Sequence, residues 1–295
     1  MPETLDFSII IPTRNRHAQL AACLDAVAEL RYPGARFEVM VVDDGSLASV
    51  EPVVAARRER LRITLHSQNG AGPAQARNRA AAAAQGRFLA FTDDDCRPAP
   101  EWLDHLAAGL KDAPDSIVGG RTVNALENNM FAAASQTLIS YLYDYFNRDP
   151  GEAWFLASNN FALAAESFRS VGGYDPTYPR AAAEDRDLCD RLRAGGHSMV
   201  YAPGAVVYHS HPLSLPAFWS QHFDYGRGAR RYWRAHRQRC GDAVRVQPPR
   251  FYSGMLAYAL RQEHTRNAPA VAALLVLSQA ANAAGFLWAW AFEDA

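Results

Sequence analysis

The stretch that decides the fold is Arg87-Phe88-Leu89-Ala90-Phe91-Thr92-Asp93-Asp94-Asp95. Phe88 to Phe91 is a short, aromatic-rich apolar run between Gly86 and a polar cluster, which predicts a buried strand. Three carboxylates follow at its C-terminal end, where open α/β sheets bind ligands. Adjacent acids repel one another unless a cation sits among them, and hard oxygen ligands suit Mg²⁺ or Mn²⁺, an ion that commonly joins carboxylates to a diphosphate. A solvated acidic turn is the plain alternative, so the rest of the chain has to decide.

Upstream, Asp6 to Ile11 reads as a strand closed by Pro12, with Thr13-Arg14-Asn15-Arg16 as a polar turn. A helix to about Leu30 carries Leu20, Leu24, Val27 and Leu30 on one face. Pro33-Gly34 breaks it, and Phe37 to Val42 is a second strand running into Asp43-Asp44-Gly45-Ser46. A helix over about 50–60, a strand over 61–66, the loop Asn69-Gly70-Ala71-Gly72-Pro73 and an Ala-rich helix over 74–85 with Arg77 and Asn78 complete the approach. Strand and helix alternating at this spacing predict βαβ units and a mostly parallel sheet. Gly70-Ala71-Gly72 invites a dinucleotide-binding reading, but Gln75 stands where a third glycine belongs; a phosphate-binding P-loop pattern is absent too.

Downstream, Pro98-Ala99-Pro100-Glu101-Trp102-Leu103 opens a helix, and Ser116 to Gly120 is a short strand. Asn128 to Phe146 is a long amphipathic stretch whose Tyr141, Tyr143 and Tyr145 are read as helix packing rather than as an acceptor groove. Ala157 to Leu163 reads as a strand and Gly172-Gly173-Tyr174-Asp175 as a turn. Glu184 and Asp185 open a helix whose Leu188 and Leu192 fix one face inward. Capping explains acids in a first turn; placed at the mouth of an inward face, they are also free to face a site. Two short strands, over 198–201 and 205–208, lead to His209-Ser210-His211. A neutral ring nitrogen there can ligate a metal, although a surface pair is commoner.

A chain of 295 residues, 49% of them hydrophobic, holds one large domain or one plus an appendage. A net charge of −1 argues against nucleic-acid binding by bulk electrostatics. Cys23, Cys96, Cys189 and Cys240 have no CxxC spacing, which fits reduced thiols in the cytoplasm better than a disulfide frame or zinc site. The N-terminus shows no charged segment followed by an apolar one, so no signal peptide is expected. From Phe218 to Arg250 eight Arg stand against two Asp, with Trp219, Phe223, Tyr232 and Trp233 interleaved; this reads as a cationic surface for diphosphates or anionic headgroups. Ala268 to Phe292 has no charged side chain, but its many alanines with Gln279 and Asn282 make spanning a membrane costly. Trp288, Trp290 and Phe292 fit an interfacial anchor or a homodimer-forming helix, with a core helix and a true span as the other readings.

Together these motifs resemble the family 2 glycosyltransferases, with the GT-A fold, over about residues 5–212. The resemblance rests on Ser8 to Asn15, Val41 to Ser46, Ala76-Arg77-Asn78, Asp93-Asp94-Asp95, Gly172 to Asp175, Glu184-Asp185 and His209. It implies a GT-A domain over 1–212 and leaves 213–295 as a helical C-terminal region. It implies that Pro12, Thr13, Arg14 and Asp43 hold the base and ribose, that Arg77 meets the diphosphate, and that Asp93 and Asp94 lie towards ribose and sugar. Asp95 with His209 would hold Mn²⁺ or Mg²⁺. Asp185 would be the general base, supported by Glu184, and Trp154, Asn159 and Asn160 are candidates to meet the acceptor. Arg14 departs from the aromatic or small residue that many relatives carry there, and the chain after about Leu213 diverges, so acceptor choice does not carry over. The implied partners are a nucleotide-diphosphate sugar, UDP-linked by preference, and a saccharide, lipid-linked, peptide or small-molecule acceptor. The expected location is the cytoplasm, at the inner face of the membrane.

The implied chemistry is coherent. An acceptor hydroxyl is a poor nucleophile until a carboxylate takes its proton, and a metal ion stabilises the leaving diphosphate. One base opposite the leaving group gives a single displacement with inversion. A sugar nucleotidyltransferase would want glycines in the loop Pro12-Thr13-Arg14-Asn15, and a non-catalytic, membrane-associated scaffold on the same fold would be expected to lose Asp43, Asp93, Asp95 and Asp185.

Overall fold

A computed structural model of the chain describes residues 5–178, 180, 182–241, 244, 246–261 and 267–293. Four strands build the first half of one eight-stranded sheet: β1 (Phe7–Thr13), β2 (Phe37–Asp43), β3 (Ile63–Ser67) and β4 (Phe88–Phe91). They are parallel, in the order β3-β2-β1-β4, with Ile9 opposite Val39 on one side and Ala90 on the other. The chain winds one way from β1 to β3 and then returns past β1 to β4. The crevice at such a reversal, beyond the carboxyl ends of the strands, is where an open α/β sheet takes a ligand. Here it lies between the turn after Thr13 and the acids after Phe91. Pro12 lies past the last β4 partner, so its missing N–H removes no ladder bond to β4.

The second half is mixed. β7 (Phe161–Ala164) runs antiparallel to β4 and to β6 (Ile117–Asn124); β8 (Met199–His209) is parallel to β6 and carries the short antiparallel β5 (Cys96–Pro98) at the edge. The two strands expected at 198–208 are one, because Pro203-Gly204 is absorbed by a register shift opposite Gly119 and Arg121. That continuity pairs His209 with Cys96 and so brings the histidine to the acidic turn. The strand expected from Ala157 begins only at Phe161, and residues 157–160 form a turn. The helix expected over 50–60 is regular only as α2 (Glu51–Ala55).

Both faces of the sheet are covered, which is why its strands read as continuous apolar runs. Phe7, Ile9 and Ile11 pack with α1 (His17–Ala28), α2 and α4 (Trp102–Asp112); Ile10, Met40 and Val42 pack with α3 (Pro73–Ala83), α6 (Ala165–Ser170) and α7 (Glu184–Ala194). A third core is helical. It joins α5 (Met130–Phe146) to α8 (Leu215–Cys240), α9 (Pro249–Arg261) and α10 (Ala268–Phe292) through Leu138, Tyr141, Phe218, Phe251, Met255, Val271 and Leu275. Tyr141 and Tyr143 are buried in packing, as read. α10 lies so close to α8 that a Cβ on Gly285 would stand 1.9 Å from the carbonyl oxygen of Phe223, and one on Gly226 would stand 1.9 Å from that of Asn282. By length and composition α10 could cross a membrane, yet one face, including Leu275, Ala281 and Ala289, is buried against the protein.

The cationic surface expected after Phe218 is not one-signed. Arg227 pairs with Asp224 and with Glu293, Arg231 reaches Glu293, and Arg239 pairs with Asp187 and Asp190 at 2.9 and 2.7 Å. The further balancing acids, Asp187, Asp190 and Glu293, come from outside that stretch of chain. Asp242 and Arg245 lie outside the described residues.

Candidate functional site

Two groups of carboxylates face the crevice. The first follows β4. Asp95 is buried; its Oδ1 lies 3.3 Å from His209 Nε2, and its Oδ2 lies 3.1 Å from His211 Nδ1 and accepts from Arg16 Nη1 at 2.7 Å. The two imidazoles stack with their planes 9° apart. Burial alone would raise the Asp95 pKa, but hydrogen bonds from the two histidines and the charge of Arg16 hold it well below the usual carboxylate range. Burial works against protonation of His209, yet Asp95 outweighs it and raises that pKa. Asp94 accepts from Thr13 Oγ1 at 2.7 Å and from Arg16 Nη1 at 3.1 Å. Burial still pushes it up to about 6.

The ligand atoms of Asp95, His209 and His211 all lie within 4.8 Å of one another, and a guanidinium already serves the same carboxylate. One carboxylate and two imidazoles fit a divalent ion, and the nitrogen donors suit a transition ion such as Mn²⁺ better than Mg²⁺. His211 was not among the expected ligands. Its signal was in the sequence, because residues two apart at a strand end face one way.

The second group opens α7. Ala183, at φ +68°, turns the chain into the helix, a left-handed conformation that strains a non-glycine residue. Glu184 is buried and accepts from Arg77 Nη1 at 2.9 Å. Asp185 is half-buried; its Oδ2 accepts from the Ser158 amide at 3.3 Å and its Oδ1 from the Arg186 amide at 2.7 Å. Burial and the neighbouring charge of Asp185 push Glu184 up to about 7, against the pull of Arg77. Burial raises Asp185 as well, with the two amides opposing it.

Arg77 ties the groups together. Its guanidinium also donates to Asp93 at 2.7 Å, lies over the Tyr174 ring and is 2% exposed. The expected contact of Arg77 with a diphosphate is therefore corrected: both ends of the fork are taken by protein carboxylates, inside. The neighbouring Asn78 donates to the Tyr174 carbonyl and accepts from its amide, so the 76–78 motif clamps the Gly172-Gly173 turn. No sequence signal names partners 16 and 107 residues away.

The expected base pocket has connected walls. The Asn15 amide donates to Ser46 Oγ and its side chain accepts from Leu47 N; Asp43 caps the same turn by accepting from Ser46 N at 2.9 Å. Arg14 extends over Gly70. The amides of Ala71 and Gly72 donate to Asp44, which accounts for the glycine loop without a phosphate.

Of the acceptor candidates, Asn160 is corrected. It is fully buried, accepts from Trp102 Nε1 at 2.8 Å and donates to the carbonyls of Arg121 and Ala205, stitching α4 to the sheet. Asn159 accepts from Thr122 Oγ1, and Trp154 is 60% exposed with Arg193 over its ring. From α8, Tyr225 accepts from Gln221 at 2.6 Å; burial, with Asp185 and Glu184 among the lesser causes, pushes its phenol up to about 12.

A mixed sheet with its acids at the strand reversal, and a carboxylate–imidazole cluster beside them, defines a protein of GT-A fold. Solved structures share this fold. The mannosyltransferase PcManGT from Pyrobaculum calidifontis, solved with GDP-Man and Mn²⁺, superposes with a TM-score of 0.63 at 20% identity, over 98% of this chain and 80% of that one. S. aureus TarS 1-349 with UDP-GlcNAc gives 0.60 at 17%, over 96% and 89%. The sequence profile described as Glycosyl transferase family 2 matches residues 8–172, and the chain belongs to that family. Among curated relatives, the pre-mycofactocin glycosyltransferase of Mycobacterium tuberculosis is 31% identical over 233 residues, 77% of this chain and 47% of that protein. The validoxylamine A glucosyltransferase of Streptomyces hygroscopicus subsp. limoneus is 30% identical over 220 residues, 65% and 49%. The chain thus spans about half the length of these relatives.

Proposed function

We propose that the protein is an inverting glycosyltransferase that moves a sugar from a nucleotide-diphosphate sugar to an acceptor hydroxyl. The observation that carries this reading is the pair of carboxylate groups joined through Arg77, one held ionised beside two imidazoles and the other pushed towards protonation. Asp95, His209 and His211 would hold the metal, Mn²⁺ in preference to Mg²⁺. A bound divalent ion would stabilise charge on the leaving diphosphate without a proton donor. Thr13, Arg14 and Asp43 line the side proposed for base and ribose, and a carboxylate suits the uracil N–H, which favours UDP. The structural neighbours were solved with both donor types, PcManGT with GDP-Man and TarS with UDP-GlcNAc.

Asp185 is the proposed general base. Glu184 is buried and pinned by Arg77, whereas Asp185 is the member of the pair that reaches solvent. A pKa raised towards neutrality improves a base that must take a hydroxyl proton as the bond forms. One base opposite the leaving group implies inversion. The acceptor class (saccharide, lipid-linked, peptide or small molecule) is left open by the divergent C-terminal helices. A cytoplasmic site at the inner membrane face belongs to the same proposal, supported by the free thiols and by the apolar α10.

Calorimetric titration with UDP, GDP and dTDP, with and without Mn²⁺, tests the donor side. Metal-dependent binding of one nucleotide is expected. Binding that ignores the metal would contradict the reading.

A further inference from the structure

The counter-ion of the acidic turn is Arg16, and its position conflicts with the metal's. Asp95 Oδ2 accepts from Arg16 at 2.7 Å and faces His211 at 3.1 Å, so a cation held by Asp95 and the two histidines would bind an oxygen that the guanidinium already serves. A dication and a guanidinium on one buried carboxylate repel each other strongly, because burial removes the screening water. We propose that Arg16 is exchanged: it neutralises Asp94 and Asp95 in the metal-free protein, leaves them when the divalent ion arrives, and turns to the diphosphate of the donor. The inference rests on the donor-and-metal reading above.

Three observations support it. Arg16 is anchored outside but reaches in: its side chain is 39% exposed, whereas those of Asp94 and Asp95 are 5% exposed. Its backbone (φ −129°, ψ 52°) precedes the first turn of α1, so the side chain can swing without unwinding the helix. Of the other cations of the site, Arg77 is engaged inside between Glu184 and Asp93, whereas Arg14 is exposed beside Gly70, away from the acidic turn that Arg16 serves. A diphosphate that needs a guanidinium, now that Arg77 is excluded, has Arg16 beside the same carboxylates. Bidentate pairing with phosphate suits that group.

The exchange makes metal and donor help each other. Metal alone must displace Arg16 and leave it unpaired; metal with a diphosphate gives the displaced guanidinium a partner. Such coupling is reciprocal.

The test is Mn²⁺ binding to the whole chain by calorimetry and by the electron paramagnetic resonance signal of free Mn²⁺, for wild type, Arg16→Gln, Arg16→Met and Asp95→Ala, each checked for a cooperative melt. Without nucleotide, both Arg16 variants should bind Mn²⁺ roughly tenfold more tightly than wild type, the scale of one lost charge-assisted hydrogen bond. Adding UDP or GDP should then tighten Mn²⁺ binding by about tenfold less than it does in wild type. If the Arg16 variants bind Mn²⁺ no more tightly than wild type while Asp95→Ala loses it, the exchange is wrong and the metal site stands. If Asp95→Ala binds Mn²⁺ like wild type, the metal site and the exchange both fall.

Discussion

The turn after β4 and the first turn of α7 both place acids side by side, and the fold treats them in opposite ways. At Asp95 two imidazoles and a guanidinium converge, so the carboxylate stays ionised although buried. At Glu184-Asp185 one guanidinium serves Glu184 while burial acts on both residues, so their pKa values rise. The number of cations within reach separates a carboxylate suited to holding positive charge from one suited to taking a proton. Environment, not residue type, assigns the roles.

The largest effect that would sharpen this contrast is on the α7 side. Asp185→Asn should lower kcat by about 10²–10⁴-fold, the usual worth of a general base, with nucleotide affinity unchanged; steady-state kinetics beside nucleotide titration checks it. Breaking the link comes next. Arg77→Met leaves Glu184 and Asp93 without their shared cation, and removing one partner of a buried pair costs about 3–5 kcal/mol, readable by denaturant unfolding. In any folded fraction the acidic limb of the pH–rate profile should move to higher pH. The sign follows from the charges: Arg77 lowers the pKa of both Glu184 and Asp185, so its loss raises them, and activity, which needs the base deprotonated, then falls off at a higher pH. In wild type that limb should already lie above the ordinary carboxylate range, because burial raises the Asp185 carboxyl.

On the β4 side, His211→Ala should weaken Mn²⁺ binding by at least the roughly 10–100-fold that an outer-shell partner is worth, without moving the acidic limb. The smallest effect concerns a residue assigned to neither group. Asn160→Ala leaves the Trp102 indole N–H and two sheet carbonyls without their partner, which costs about 1–3 kcal/mol of stability. The acceptor KM should stay at the wild-type value, as it would not if Asn160 met the acceptor.

Much of this was legible in the chain. The β4 run with its three acids, the alternation of strands and helices before it, and Glu184-Asp185 at a helix mouth all follow local rules of period and capping. The misreadings share a cause. Arg77 and Asn160 looked available because a sequence shows a polar side chain but not the partners that the fold brings from 16, 58 or 107 residues away. The arginines of α8 looked one-signed because Asp187, Asp190 and Glu293 belong to other elements. β8 looked broken because Pro203-Gly204 normally ends a strand; a register shift kept it whole and carried His209 and His211 to Asp95.

The division of labour is tested most directly by titrating UDP and GDP, each with Mn²⁺, into Asp95→Ala and Asp185→Asn, and measuring sugar transfer or donor hydrolysis on the same samples. Asp95→Ala should lose metal-dependent nucleotide binding, while Asp185→Asn should bind like wild type and fail to turn over. If Asp185→Asn loses binding while Asp95→Ala keeps it, the roles given to the two carboxylate groups are wrong.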